Sequence, residues 1–200
     1  MPNYDAIYMK VAHPYGGGKP DPLIRLLMEL VPQGSAVDLG AGDGRHTLAL
    51  ARHGWEVTAV DTSEVGLQKL QEYANALNQK KIQTIQADIS VWEPEQEVDA
   101  MVTAFVLHHL TKLQAQTLIK RMQQKTRTKG VHAIATFTPE GDFYREHPSE
   151  GWFYPTKEEL VDLYQNWEVI YVQEEEGLAR QKKADGTAMK NTILRMLMRK

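Results

Sequence analysis

The segment Ala36-Val37-Asp38-Leu39-Gly40-Ala41-Gly42-Asp43-Gly44-Arg45 constrains this chain more than any other part of its sequence. An apolar run meets an acid, glycines then fall at every second position, and helical spacing begins at Arg45. Glycine at alternate positions permits a tight turn and removes the Cβ atoms that would keep a ligand away from backbone amides. The helix that follows opens with N–H groups that lack partners within it and can meet ligand oxygens. A strand, turn and helix of this kind belong at the edge of a parallel sheet, where nucleotide-type ligands bind. Asp61 closes the next apolar run, where a carboxylate that accepts from ribose hydroxyls is expected.

Helical and strand patterns alternate from there on. Asp21 and Pro22 start a helix over 23–30, as N-cap and first helical residue. Short apolar runs predict strands over 35–39, 56–60, 82–86, 99–106 and 131–138. Between them lie a helix over 45–52 closed by Gly54, one capped by Ser63 and running to Leu77, and one opened by the capping box at Thr111 that reaches about Thr126. A second capping box at Thr156 starts a helix to Tyr164. Strands over 167–172 and 192–198 follow with no helix between them, joined around Asp185-Gly186, so they should pair antiparallel. The expectation is one α/β domain over residues 1–200. It has a Rossmann-like, seven-stranded, mostly parallel sheet, helices on both faces and a C-terminal antiparallel hairpin.

Composition removes several function classes. A formal net charge of −3 gives no basic footprint for nucleic acid. No apolar run approaches the roughly 18 to 20 residues of a membrane span, and residues 1–10 lack the apolar core of a signal peptide. A cytoplasmic protein with no membrane partner is therefore expected. The absence of cysteine closes disulfides, thiolate metal sites and cysteine nucleophiles, including attack on pyrimidine C6 before C5 methylation. Seven histidines occur without a His-Glu-x-x-His spacing, and no metal is expected.

Four acids, Asp38, Asp61, Asp88 and Asp99, fall at or next to predicted strand ends, where open α/β sheets bind ligands. Asp61 suits a ribose diol. Asp88 suits an exocyclic adenine amine, with the Ile89 N–H on a ring nitrogen. Asp38, beside the Gly40 and Gly42 turn, suits an ammonium group. A pyrophosphate would be repelled by so many acids, whereas a ligand carrying an ammonium and a sulfonium would not. The acid-Leu-Gly-Ala-Gly-x-Gly turn with Asp61 and Asp88 resembles the class I methyltransferase signature. S-adenosyl-L-methionine is thus the expected cofactor, with Thr62 and Thr103 assigned to its site and Lys19 to its carboxylate.

From Tyr4 to Lys200 the chain also resembles the tellurite-resistance (TehB-like) methyltransferases. The matching pieces include Gly54-Trp55-Glu56-Val57, Asp99-Ala100-Met101, Tyr154-Pro155-Thr156-Lys157-Glu158-Glu159-Leu160 and the hairpin from Trp167 to Lys200. The resemblance implies methyl transfer to a small molecule or a metalloid oxyanion such as tellurite or selenite; the expected assembly, a monomer or a homodimer, is left open. In that family a His-Arg pair and a further arginine of the hairpin serve the oxyanion. Here the stretch reads Leu178-Ala179-Arg180-Gln181, so Arg180 keeps one member while Ala179 stands at the histidine and Ala188 near the second arginine. The alternative is a cofactor-binding sensor without turnover. A nucleic-acid or protein methyltransferase ranks last, since Thr103-Ala104-Phe105-Val106 replaces the Asn-Pro-Pro-aromatic motif.

Arg180 and His108 are the catalytic candidates, His108 as a base. The His108-His109 pair reads first as loop packing, since Leu-His-His-Leu segments occur in methyltransferases with unrelated substrates. The aromatic segment 139–155, with Phe143, Tyr144, Trp152, Phe153 and Tyr154, is a lid or a packed loop. The N-terminal arm, residues 1–20 with Gly16-Gly17-Gly18, is a lid or a plain arm. Glu174-Glu175-Glu176 is expected at a solvated strand end.

Overall fold

A computed structural model describes residues 3–12, 14, 17–146, 151–183 and 185–200, without the side chains of 179–182. His13, Tyr15, Gly16 and His147 lie outside the described residues, as does the side chain of Arg180.

Local chemistry sets the element starts. Asn3 caps α1 (Tyr4–Lys10) by accepting the Ala6 N–H at 3.1 Å. Asp21 caps α2 (Pro22–Leu30) by accepting the Leu23 N–H at 2.9 Å, and Leu23, Ile24 and Leu27 form its buried stripe. Then follow β1 (Ser35–Leu39), α3 (Arg45–Arg52), β2 (Glu56–Asp61), α4 (Glu64–Ala76) and β3 (Ile82–Gln86). After β4 (Val98–Ala104) the chain makes a 3-10 turn over Leu107–His109 and enters α5 (Lys112–Gln124), whose Thr111 capping box forms as expected. Next come β5 (Thr126–Phe137), α6 (Asp142–Glu146), α7 (Lys157–Asp162), β6 (Glu168–Lys182) and β7 (Ala188–Arg199).

These strands form one sheet in the order β3-β2-β1-β4-β5-β7-β6. Neighbours from β3 to β5 pair parallel, while β7 runs antiparallel to both β5 and β6. Alternation sorts the core. Ala100, Val102, Val131, Ala133 and Leu197 face α2 and α3, whereas Met101, Ile134, Met196 and Met198 face Leu118, Ile119 and Met122 of α5. Helices therefore cover both faces, as the sequence predicts, and the layers pack without cysteine.

Three differences have physical reasons. β5 starts at Thr126, before the predicted 131, because the chain passes a bulge with Lys129 at φ 68 and then resumes pairing at Val131. The hairpin strands are longer than their apolar stretches. Backbone pairing continues through exposed Glu174-Glu175-Glu176, and Glu175 accepts from the Arg195 guanidinium at 2.9 Å. Asp99 precedes the apolar part of β4 and so lies at the amino edge of the parallel strands, away from the ligand edge. There its carboxylate accepts from Ser35 N–H at 2.8 Å and from Arg127 at 2.7 Å.

One ion pair spans the sequence. Arg195 of β7 donates to both Asp21 carboxylate oxygens, at 2.8 and 3.1 Å, and both residues are buried. Among the described residues, no helix is long and apolar enough to cross a membrane.

Candidate functional site

The turn after β1 folds over the end of β2, where the Gly40 and Ala41 N–H groups both donate to the Val60 carbonyl, at 2.8 and 3.1 Å. Gly40 has φ +75, and a Cβ there would stand 2.3 Å from Val106 Cγ2, so neither conformation nor space admits a side chain. The Gly42 N–H donates to Asp61 Oδ2 at 2.7 Å, and the Ser63 N–H donates to Oδ1 at 2.8 Å. Two backbone donors thus fix the Asp61 carboxylate at the cleft wall, with lone pairs to spare for a ligand. Burial pushes its pKa up against the pull of these amides.

A cleft of about 730 Å³ opens at this sheet edge, lined by Gly40, Asp61, Thr62, Asp88, Ile89 and His108 among the predicted residues. Asp88 is exposed and accepts from the Ser90 N–H at 2.8 Å. Four other predicted cofactor residues do not line the cleft. Gly42 acts through its bond to Asp61. Asp38 lies behind the turn, 1% exposed, and accepts from the Thr47 hydroxyl at 2.7 Å, which ties β1 to α3. Burial raises its pKa to about 6, only partly opposed by the Thr47 hydrogen bond. Thr103 is fully buried in β4, and Lys19 is exposed outside the cleft.

Sequence reasoning passed over much of the remaining wall. Asp43 and Arg45 are polar residues of the glycine turn itself, so the signal was present. Arg45 lies over the Phe105 ring, 5.6 Å from its centroid, and its Nε donates to His46 Nε2 at 3.0 Å. Phe105 leaves β4 with φ 61, a conformation that costs a non-glycine residue roughly 1–3 kcal/mol and that no local sequence signal announces. Asn191 falls two residues from both Met189 and Ile193, on the same face of β7, a readable pattern. Since β7 is antiparallel, its first residues reach the same edge as the carboxyl ends of the parallel strands.

α1 covers the glycine turn. The Tyr8 hydroxyl occupies the space that a Cβ on Gly42 would need, Tyr4 Oη lies 2.9 Å from His109 Nε2, and the Asp5 carboxylate accepts from the Ser63 hydroxyl. Lys69 of α4 adds a bond to the Val11 carbonyl at 2.6 Å.

His108 is 1% exposed among Phe137, Phe143 and Tyr154, at ring distances of 4.9, 5.5 and 5.7 Å. Burial and then the His109 neighbour push its pKa well below the ordinary value, so it stays neutral at physiological pH. His109 is likewise lowered by burial, to about 4. The aromatic segment is packed at Phe153 and Tyr154, while Phe143 joins the cleft wall.

The family described as "Tellurite resistance protein TehB" matches residues 24–197 of this chain. A probable S-adenosyl-L-methionine-dependent methyltransferase TehB of Haemophilus influenzae (strain 10810) is 29% identical over 164 residues, which is 82% of this chain. The chain spans only 56% of that relative's length. The crystal structure of TehB from Haemophilus influenzae superposes with a TM-score of 0.81 at 24% identity, covering 90% of this chain and 62% of that one. Coclaurine N-methyltransferase, solved with N-methylheliamine and S-adenosylhomocysteine, gives 0.70 at 14% identity over 89% of this chain and 72% of that one. With the class I methyltransferase fold and a family match along most of its length, this chain belongs to the tellurite resistance protein TehB family.

Proposed function

We propose that the chain transfers the methyl group of S-adenosylmethionine to a small acceptor in this cleft. The observation that carries the reading is Asp61, held by the Gly42 and Ser63 amides at 2.7 and 2.8 Å on the wall of an acidic cleft. Asp5, Asp43 and Asp88 line the same cleft, while Arg45 is the one lysine or arginine among its described residues. That charge balance suits a cationic cofactor and opposes a pyrophosphate. The names of the family relatives support the same cofactor.

Asp61 would hold the ribose hydroxyls, and Asp88 with Ile89 the adenine edge. The glycine turn lets backbone approach the methionine part. When bound, the cofactor supplies an electrophilic methyl on a sulfonium, and the chain's own task is alignment and exclusion of water. Alignment of this kind accounts for roughly 7–11 kcal/mol of a barrier. α1 and the aromatic wall around His108 enclose the cleft. Neutral His108 can accept a proton only from an acceptor that releases one easily.

Calorimetry tests the reading. The parent protein should bind S-adenosylmethionine, and Asp61→Ala should weaken binding about 10- to 100-fold through loss of charge-assisted bonds to two hydroxyls. No binding by the parent would refute the proposal. A screen of small thiols, amines, selenite and tellurite for S-adenosylhomocysteine production separates an enzyme from a sensor.

A further inference from the structure

The cleft has two unlike halves. Carboxylates gather where β1, β2 and β3 end. Beyond β4 the wall is built by Phe137, Phe143, Leu178, Ile193, His108 and Asn191. Asn191 is 2% exposed, and its amide has a fixed orientation. Its Oδ1 accepts the Phe143 N–H at 2.8 Å, which leaves Nδ2 as the free end, buried and without a hydrogen-bond partner among the described residues. His108 Nδ1 is also buried, with no partner among the described residues. An unpaired buried amide is costly, so its presence on a cleft wall calls for a ligand atom that completes it.

The same segment is latched from behind. The Asp142 carboxylate accepts the Lys190 N–H at 2.8 Å and pairs with Lys183 Nζ at 2.9 Å, which sets α6 and Phe143 against the start of β7. Asn191 therefore sits on a braced wall.

We infer that this half of the cleft takes a flat, neutral, aromatic acceptor carrying one hydrogen-bond-accepting atom, and that Asn191 Nδ2 is the donor that reads that atom. The inference rests on the proposed methyl transfer and names its acceptor class. Rings of Phe137, Phe143 and neutral His108 offer stacking faces to such a molecule. Among the described residues of this half, an oxyanion would instead have to give up its hydration among apolar rings and face a neutral amide, with Arg45 in the other half. Asn191 is a specificity-determining residue on this view.

Binding measured on the protein loaded with S-adenosylhomocysteine tests this without turnover. Quinoline, naphthalene and selenite serve as probes. Quinoline and naphthalene share shape, and only quinoline has an acceptor nitrogen. Quinoline should saturate the parent protein and bind about 3- to 10-fold tighter than naphthalene, the worth of one neutral hydrogen bond. Asn191→Leu should erase that preference, read as the ratio of the two affinities, while leaving S-adenosylhomocysteine affinity in place. Equal affinities of the two probes for the parent overturn the inference, as does selenite saturating a protein that ignores quinoline. The parent comparison stands even where Asn191→Leu fails to fold. Failure of S-adenosylhomocysteine itself to bind would overturn the proposed function, whereas its binding without quinoline binding overturns the acceptor class alone.

Discussion

Asp38 gives the molecule a pH signature that a surface acid could not. Burial holds its pKa near 6 in the folded chain against an ordinary 3.8, so the folded state keeps a proton that the unfolded state has released. The contribution of this group to stability falls as pH rises from about 4 to about 6 and is level above that. Asp38→Asn keeps an oxygen for the Thr47 hydroxyl and removes the buried charge. The difference in stability between variant and parent should be near zero at about pH 4 and grow to about 3 kcal/mol in favour of the variant above about pH 6. Denaturant melts of both proteins across that range measure it. His132 has the opposite sign. Burial holds it neutral with a pKa of about 3, bridging the Thr126 and Tyr164 hydroxyls at 2.8 Å each. Its stability contribution is present above the ordinary histidine pKa of about 6.5 and is lost as pH falls toward 3. His132→Phe should therefore be less acid-sensitive than the parent, while losing about 1–3 kcal/mol at pH 8 from the orphaned Tyr164 hydroxyl. Both residues were visible in sequence as titratable groups in apolar strands. That both would be fully buried was not, because that depends on the helices packed over each face.

Among the elements, α1 shows most clearly where reading along the chain stops. Asp21-Pro22, Ser63 and the boxes at Thr111 and Thr156 announced their helices because a cap is a contact between residues two or three apart. α1 is anchored across the fold to His109, Ser63 and Lys69, and nothing local encodes that. The combination Tyr4→Phe with Asp5→Ala should loosen α1 without unfolding the sheet. Hydrogen exchange of α1 amides should accelerate, and bound cofactor should leave faster in stopped-flow displacement. The melting temperature should move by no more than about 2–4 °C, the shift expected for 1 kcal/mol at this size. The hairpin was legible as a pair of antiparallel strands but not in length. Backbone ladders continue through exposed glutamates that an apolar pattern treats as the end of a strand.

At the scale of the molecule, Asp21 and Arg195 close the fold, since the cap of α2 and the middle of the last strand are 174 residues apart. Arg195→Met alone leaves Asp21 charged and buried and should cost about 3–5 kcal/mol in chemical denaturation. Adding Asp21→Asn, which still caps α2, should restore most of that loss. The parallel sheet, its antiparallel close and the helices on both faces followed from alternation and the glycine turn. The wall beyond β4 did not, because Phe137, Phe143 and Asn191 meet only after β5 and β7 have paired. That reversal of β7 has a further consequence. On the proposed reading the residues that would hold the cofactor end by Ile89, and His108 with Phe137 through Ile193 would supply the other wall, so the two specificities would occupy separate stretches of the chain. A hairpin transplanted from a relative, bounded at the Asp21–Arg195 clamp, could change the accepted molecule while leaving the nucleotide half of the cleft as it is. On that reading, acceptor range would diversify by exchange of one late segment set against a wall that stays in place.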